Sequence, residues 1–239
     1  MIAVIHRPQG VLSPWLKWWF PPLLLIIVMG VRIVDPQAYE DWVIGEIGLV
    51  ELATPLAAFI GFLIAVRMSW RLKSLPDRGL LRAWIVLLGL ACFYLAGEEL
   101  SWGQQLFHWQ TPEAVAEIND QQETNLHNIS SWFDQKPRLL LELWVLIGGI
   151  LVPLAEHVRG SKFERGSFSY WFWPTLDCMP TAILAICVRL PPRIKDLFEL
   201  PALPYEIRYS EPQEYYFALF LVLYLLSLTT RIAADSAER

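Results

Sequence analysis

Charge is scarce in this chain. Of its 239 residues only 18% are Asp, Glu, Lys or Arg, while 55% are hydrophobic. So little charge cannot clothe a soluble domain of this size, and the apolar residues need lipid to face. The net charge of −5 leaves no clustered excess of Lys and Arg, which argues against a nucleic-acid partner. Cysteine is equally sparse: Cys92, Cys178 and Cys187 all lie in apolar runs and read as small hydrophobes, neither a disulfide framework nor a zinc site. Walker A, dinucleotide-binding glycine, HExxH and G-x-S-x-G patterns are all missing, so the familiar nucleotide, zinc-protease and serine-hydrolase routes lack support.

What the chain does have is long apolar runs. They fall at about 18–34, 43–66, 81–100, 139–157, 168–188 and 215–230. Each is near the ~20 residues that a spanning helix needs. The sequence therefore predicts an all-α polytopic membrane helix bundle of one domain with six transmembrane helices. The first run is read as an uncleaved span. Twelve of the 19 Lys and Arg residues fall on the side of the two termini and the even-numbered loops, and seven on the other. By the positive-inside tendency both termini are expected in the cytoplasm, with loops 101–138 and 190–214 outside. The expected location is the bacterial inner membrane. Thr111-Pro112-Glu113 predicts a short surface helix in the third loop, from Glu113 to Asn119.

A carboxylate at membrane depth costs several kcal/mol unless it finds a partner or water. This topology puts Glu46, Glu51, Glu98, Glu99, Glu142, Glu211 and Glu214 at one level, on the outer side. If the third span continues as a helix past Glu99, then Glu98, Ser101, Trp102, Gln105, His108 and Trp109 share one stripe. Such a stripe suits a polar pocket capped by indoles, or more plainly an interfacial aromatic belt. Glu98, Glu99, Glu51 and His127 are the candidate acid–base groups, and Glu46, Ser101, Trp102, Gln105, Asn125 and Asn128 the candidate substrate contacts. Glu98, His108, Glu123 and His127 offer a divalent metal its oxygen and nitrogen ligands, although His and Glu in a polar loop more often hold that loop by hydrogen bonds.

Other positions favour structure. Ala53, Ala57, Gly61 and Ala65 form a small-residue ridge, and Gly148 with Gly149 offers another close approach. Helix packing of this kind also leaves room for homo- or hetero-oligomers. Asp177, expected near the middle of the fifth span, is either functional or a partner for backbone freed by Pro174.

The segments EIGLVE (Glu46 to Glu51), EELSWGQ (Glu98 to Gln104) and ETNLHN (Glu123 to Asn128) resemble the signature of a family of bacterial multi-pass membrane proteins to which no activity is assigned. The resemblance covers about the central third of the chain and implies that the three motifs belong to one site. Three functions are compatible with these observations. They are an enzyme acting on a lipid or lipid-linked envelope precursor, a non-catalytic scaffold of an envelope assembly, and a proton- or cation-coupled transporter.

Overall fold

The computed structural model describes residues 11–44, 48–72, 78–119, 121–126, 128–160, 163–164, 166–201 and 205–237. Helix dominates, and six segments are long and apolar enough to cross a membrane: Trp15–Val34, Leu49–Leu72, Gly79–Glu99, Gln135–Arg159, Phe168–Leu197 and Ser210–Ala237. The chain is an all-α, multi-pass membrane protein. The second span sits about six residues later than the hydropathy predicts, because Asp35 caps the turn that follows the first span and Tyr39–Val43 remains in that connection.

The sixth span is the axis of the bundle. Every residue from Tyr215 to Leu225 is buried, as expected of a helix that is apolar all round. The second span packs against both the sixth and the third. Here the small-residue ridge does its work: Gly61 lies against Cys92, and Ala65 faces Gly89 of the third span. A Cβ on Gly149 would stand 2.7 Å from Ala182 and 2.7 Å from the Phe220 ring. We expect Gly149→Ala to lower stability by about 1–3 kcal/mol through overpacking, read as a lower melting temperature in detergent.

The fifth apolar run is not the continuous helix expected. Pro174 imposes an extended backbone on the preceding Trp173 (φ −81°, ψ 132°) and ends the helix Phe168–Phe172. Register along the sixth span shows where the chain then goes. The carbonyl of Tyr170 accepts a bond from the Arg231 guanidinium, and those of Trp171 and Phe172 accept from the Tyr224 hydroxyl at 3.1 and 2.8 Å. Thr175 then meets Ser227 at 3.3 Å, and Asp177 returns to the neighbourhood of Arg231. Tyr224 and Arg231 are seven residues apart, about 10 Å along a helix. The segment thus dips into the bundle, turns at Pro174 and comes back before Met179–Cys187 runs toward the other end of the bundle, where the Ala185 carbonyl accepts from Gln213.

Asp177 therefore stands at the end of the bundle that holds Lys17 and Arg231, not at mid-membrane. Its carboxylate pairs with Lys17 at 3.2 Å and accepts the Val11 amide at 2.9 Å. Such irregular backbone is tolerated at membrane depth only where protein groups satisfy it, which Arg231 and Tyr224 do here. Arg78 and Asp235 form a further buried pair at the same end.

Candidate functional site

The third span ends at Glu99, and the predicted helical continuation does not occur. Ser101 (φ 46°), Trp102 (φ 55°) and Gly103 (φ 100°) are all left-handed, so the chain folds back on itself before the single turn Gln104–Phe107. Two non-glycine residues in this region cost about 1–3 kcal/mol each and persist only where their surroundings over-determine them. Those surroundings are visible. The Trp102 indole lies on Gly97, close enough that a Cβ there would stand 2.8 Å from the ring, and its Nε1 donates to Glu98 Oε1 at 2.7 Å.

The ETNLHN segment closes over this turn through side chains. Leu126 N donates to Glu98 Oε2 at 2.7 Å. Ser101 Oγ donates to Glu123 Oε2 at 2.7 Å, and Asn125 Nδ2 donates to the same oxygen at 2.6 Å. Asn119 Nδ2 donates to the Asn125 carbonyl at 2.9 Å, while Asn119 Oδ1 accepts the amides of Gln121 and Glu123. Gln104 Oε1 accepts from Thr124 N and Oγ1, both at 2.7 Å, and Gln104 Nε2 donates to Thr111 Oγ1. Thr111 therefore braces the loop through Gln122 instead of capping the short helix, which covers only Glu113–Ala116. Glu98 (3% exposed), Ser101, Asn119 and Asn125 (1%) are all buried. A buried polar network of this kind, with its members satisfied, rigidifies what it joins.

Beneath this cap is a cavity of about 1250 Å³. Six carboxylates line it, those of Glu51, Glu98, Glu99, Glu123, Glu211 and Glu214, against two guanidiniums, Arg138 and Arg208. Of the seven acids expected at one level, Glu51, Glu98, Glu99, Glu211 and Glu214 line the cavity, from the second, third and sixth spans, and Glu123 joins them from the third loop. Glu142 does not join them and pairs instead with Arg193 at 2.7 Å. Arg138 is held between Glu214, at 2.9 Å, and Gln213, at 2.7 Å. Glu99 differs from its neighbours. Its charged surroundings are Glu214, Glu211, Arg138 and Glu51, and it makes no hydrogen bond or ion pair among the described residues.

The lower part of the cavity is apolar. Trp84, Leu88, Ala91 and Leu95 form one wall and Leu141 and Trp144 the other. The floor is aromatic: Trp84 and Trp144 meet edge-on with ring centroids 5.7 Å apart, Phe172 lies against both, and Trp84 Nε1 donates to Tyr224 OH at 3.0 Å. This layer separates the carboxylates from the Asp177 cluster.

Of the residues singled out from sequence, Glu51, Glu98, Glu99, Gln105, His108, Glu123 and Asn125 line the cavity. Ser101 and Trp102 brace its roof from behind, and Asn128 bonds Gln121 at 2.9 Å on the outside of the loop. Glu46 and His127 lie outside the described residues. For the expected metal set of Glu98, His108, Glu123 and His127, both described acids already accept hydrogen bonds from the loop, and no three His, Cys, Asp or Glu side chains come together as ligands among the described residues. Arg138, Gln104 and Asn119 were not anticipated. Gln104 lies inside the EELSWGQ motif, but a straight helix would point its neighbour Gln105 at the site, and only the left-handed turn before Gln104–Phe107 brings Gln104 to the loop. Comparison with protein-family models, curated proteins and solved structures finds no match to this chain.

Proposed function

We propose that this protein is an enzyme of the bacterial cell envelope, acting in the outer leaflet of the inner membrane on a lipid or lipid-linked precursor. Glu99 is the acid–base group. The observation that supports this reading is its setting: a carboxylate with no hydrogen-bonded partner among the described residues, facing a large cavity with polar and apolar halves, beside Glu51, Glu211 and Glu214. Structural carboxylates in this chain are fastened, as Glu98, Glu123, Glu142 and Glu206 are. A carboxylate placed against a substrate hydroxyl can take its proton or return one to a leaving oxygen, and a second carboxylate nearby allows the two roles to be divided. Glu51 is the candidate for that second role. Arg138 and Arg208 are the groups suited to a phosphate on the substrate. His108 and Gln105 complete the polar wall.

A scaffold is the second reading, favoured by the hydrogen bonds that fix the EELSWGQ and ETNLHN segments to each other. A transporter is the least supported, since the aromatic floor interrupts any polar path from Glu99 to Asp177. The test is a comparison of envelope lipid extracts from cells that lack the protein, carry it, or carry Glu99→Gln. An enzyme leaves one lipid species accumulated and another depleted both in its absence and in the variant. Extracts that differ only in the complete absence of the protein would support the scaffold. Elemental analysis of the purified protein bears on the metal: a stoichiometric divalent ion would move Glu98 and Glu123 from fastening the loop to coordination.

A further inference from the structure

The cavity is open at its side as well as beneath the cap. On the third span Leu87, Ala91, Tyr94 and Glu98 follow one another at helical spacing, and all four line it. Pro137, Leu141 and Trp144 do the same on the fourth span, with Leu140 between them. The two helices present these stripes to each other across a void and touch at the Trp84–Trp144 pair on the floor. Above that pair the wall is incomplete. Leu87 is 57% exposed and Leu140 is 70% exposed although both line the cavity, and Ala91, one turn above Leu87, contributes only a methyl group. In a bilayer that gap faces hydrocarbon, not water.

The depth is informative. From Trp84 to Leu95 is 11 residues, about 16 Å of helix rise, against about 15 Å for half of a ~30 Å hydrocarbon core. The apolar part of the cavity is thus about as deep as the hydrocarbon of one leaflet is thick, and the carboxylates stand at the end of it opposite the aromatic floor. Resting on the lipid-directed reading given above, we infer that the occupant is a single-leaflet membrane lipid that enters sideways between the third and fourth spans. Its chain lies along Leu88, Ala91 and Leu141 above the two tryptophans, and its polar head reaches Glu99. The surplus of carboxylates over guanidiniums among the lining groups selects a head that donates hydrogen bonds, through hydroxyls or an amine.

Native mass spectrometry of the protein extracted from nanodiscs of phosphatidylethanolamine and phosphatidylglycerol tests this. Wild type should retain a lipid. Ala91→Trp and Leu140→Trp, which fill the opening, should reduce retention by about tenfold or more. Leu90→Trp, on the exposed face of the same helix but outside the cavity, should retain lipid as wild type does. Should Ala91→Trp fail to fold, Leu140→Trp decides, since its side chain is already mostly exposed. Preferential retention of phosphatidylethanolamine would identify the amine as the donor, and retention of phosphatidylglycerol the hydroxyls. Equal retention by Leu140→Trp and Leu90→Trp, or none by wild type, overturns the lateral entry. Glu99→Gln separates the two claims: a variant that keeps both its lipid and its effect on envelope lipids ends the catalytic assignment and leaves the portal standing.

Discussion

Replacing Glu99 by Gln should reduce turnover of the envelope lipid by about 10²- to 10⁴-fold, the usual contribution of a positioned general acid or base. The fold should survive. Glu99 makes no hydrogen bond or ion pair among the described residues, so an isosteric amide removes no fastening from the protein. Glu98→Gln is expected to behave in the opposite way. Its two oxygens accept from Trp102 Nε1 and Leu126 N, and an amide in that place turns one acceptor into a donor aimed at a donor. Leaving one such buried group unsatisfied costs about 1–3 kcal/mol, so this variant should lose melting temperature and loosen the loop. On the proposed reading, adjacent residues of identical chemistry divide into one that reacts and one that holds. Turnover measured in membranes, with thermal unfolding of the same preparations, reads both. Equal losses of turnover and stability in the two variants would contradict the division, and Glu113→Gln, on the exposed short helix, serves as the neutral control.

Asp177→Ala should be the most damaging single substitution at the opposite end of the bundle, lowering stability by about 3–5 kcal/mol. The carboxylate pairs with Lys17 at 3.2 Å, accepts the Val11 amide at 2.9 Å and lies near Arg231, which is 1% exposed. Removing it leaves a buried guanidinium with one partner fewer and loosens the turn that brings the chain back from Pro174. The Arg231 side chain also sits against the rings of Tyr170 and Trp171, so it cannot swing away to water without unpacking them. Thermal unfolding in detergent should show a large fall for Asp177→Ala. The double variant Asp177→Ala, Arg231→Met should lose less than the sum of the single losses, because the second change removes the charge that the first strands. Strict additivity would mean that the two groups do not interact.

Much of the architecture was legible because lipid imposes it. Long apolar runs and sparse charge dictate six spanning helices, and the cost of intramembrane acids identifies the level at which Glu51, Glu99, Glu211 and Glu214 meet. The small residues at 57, 61 and 65 pack as their spacing required. Less legible was everything that depends on departures from a helix. Helical spacing carries the third span on through Ser101 to Gly103, whose left-handed backbone depends on a loop more than twenty residues further on; only Gly103 carries a local hint. The break in the fifth run was not expected although Pro174 carries a local signal for it, and the return of Asp177 toward Lys17 follows from a contact across 160 residues of sequence that no local pattern encodes. The different settings of Glu98 and Glu99 were equally hidden, since they depend on which carboxylate the loop reaches.

The most direct measurement is the accessibility of single cysteines, placed at Gln121, Glu99 and Ala237 in a chain whose three natural cysteines are replaced, to a membrane-impermeant maleimide on intact spheroplasts. With the cavity beneath loop 101–130 on the outer face, as proposed, labelling is expected at 121 and, more slowly, at 99, with 237 labelled only after permeabilisation. Labelling of 121 and 237 from the same side, or of 99 only from the side of 237, would contradict a one-sided site and the envelope chemistry proposed for it.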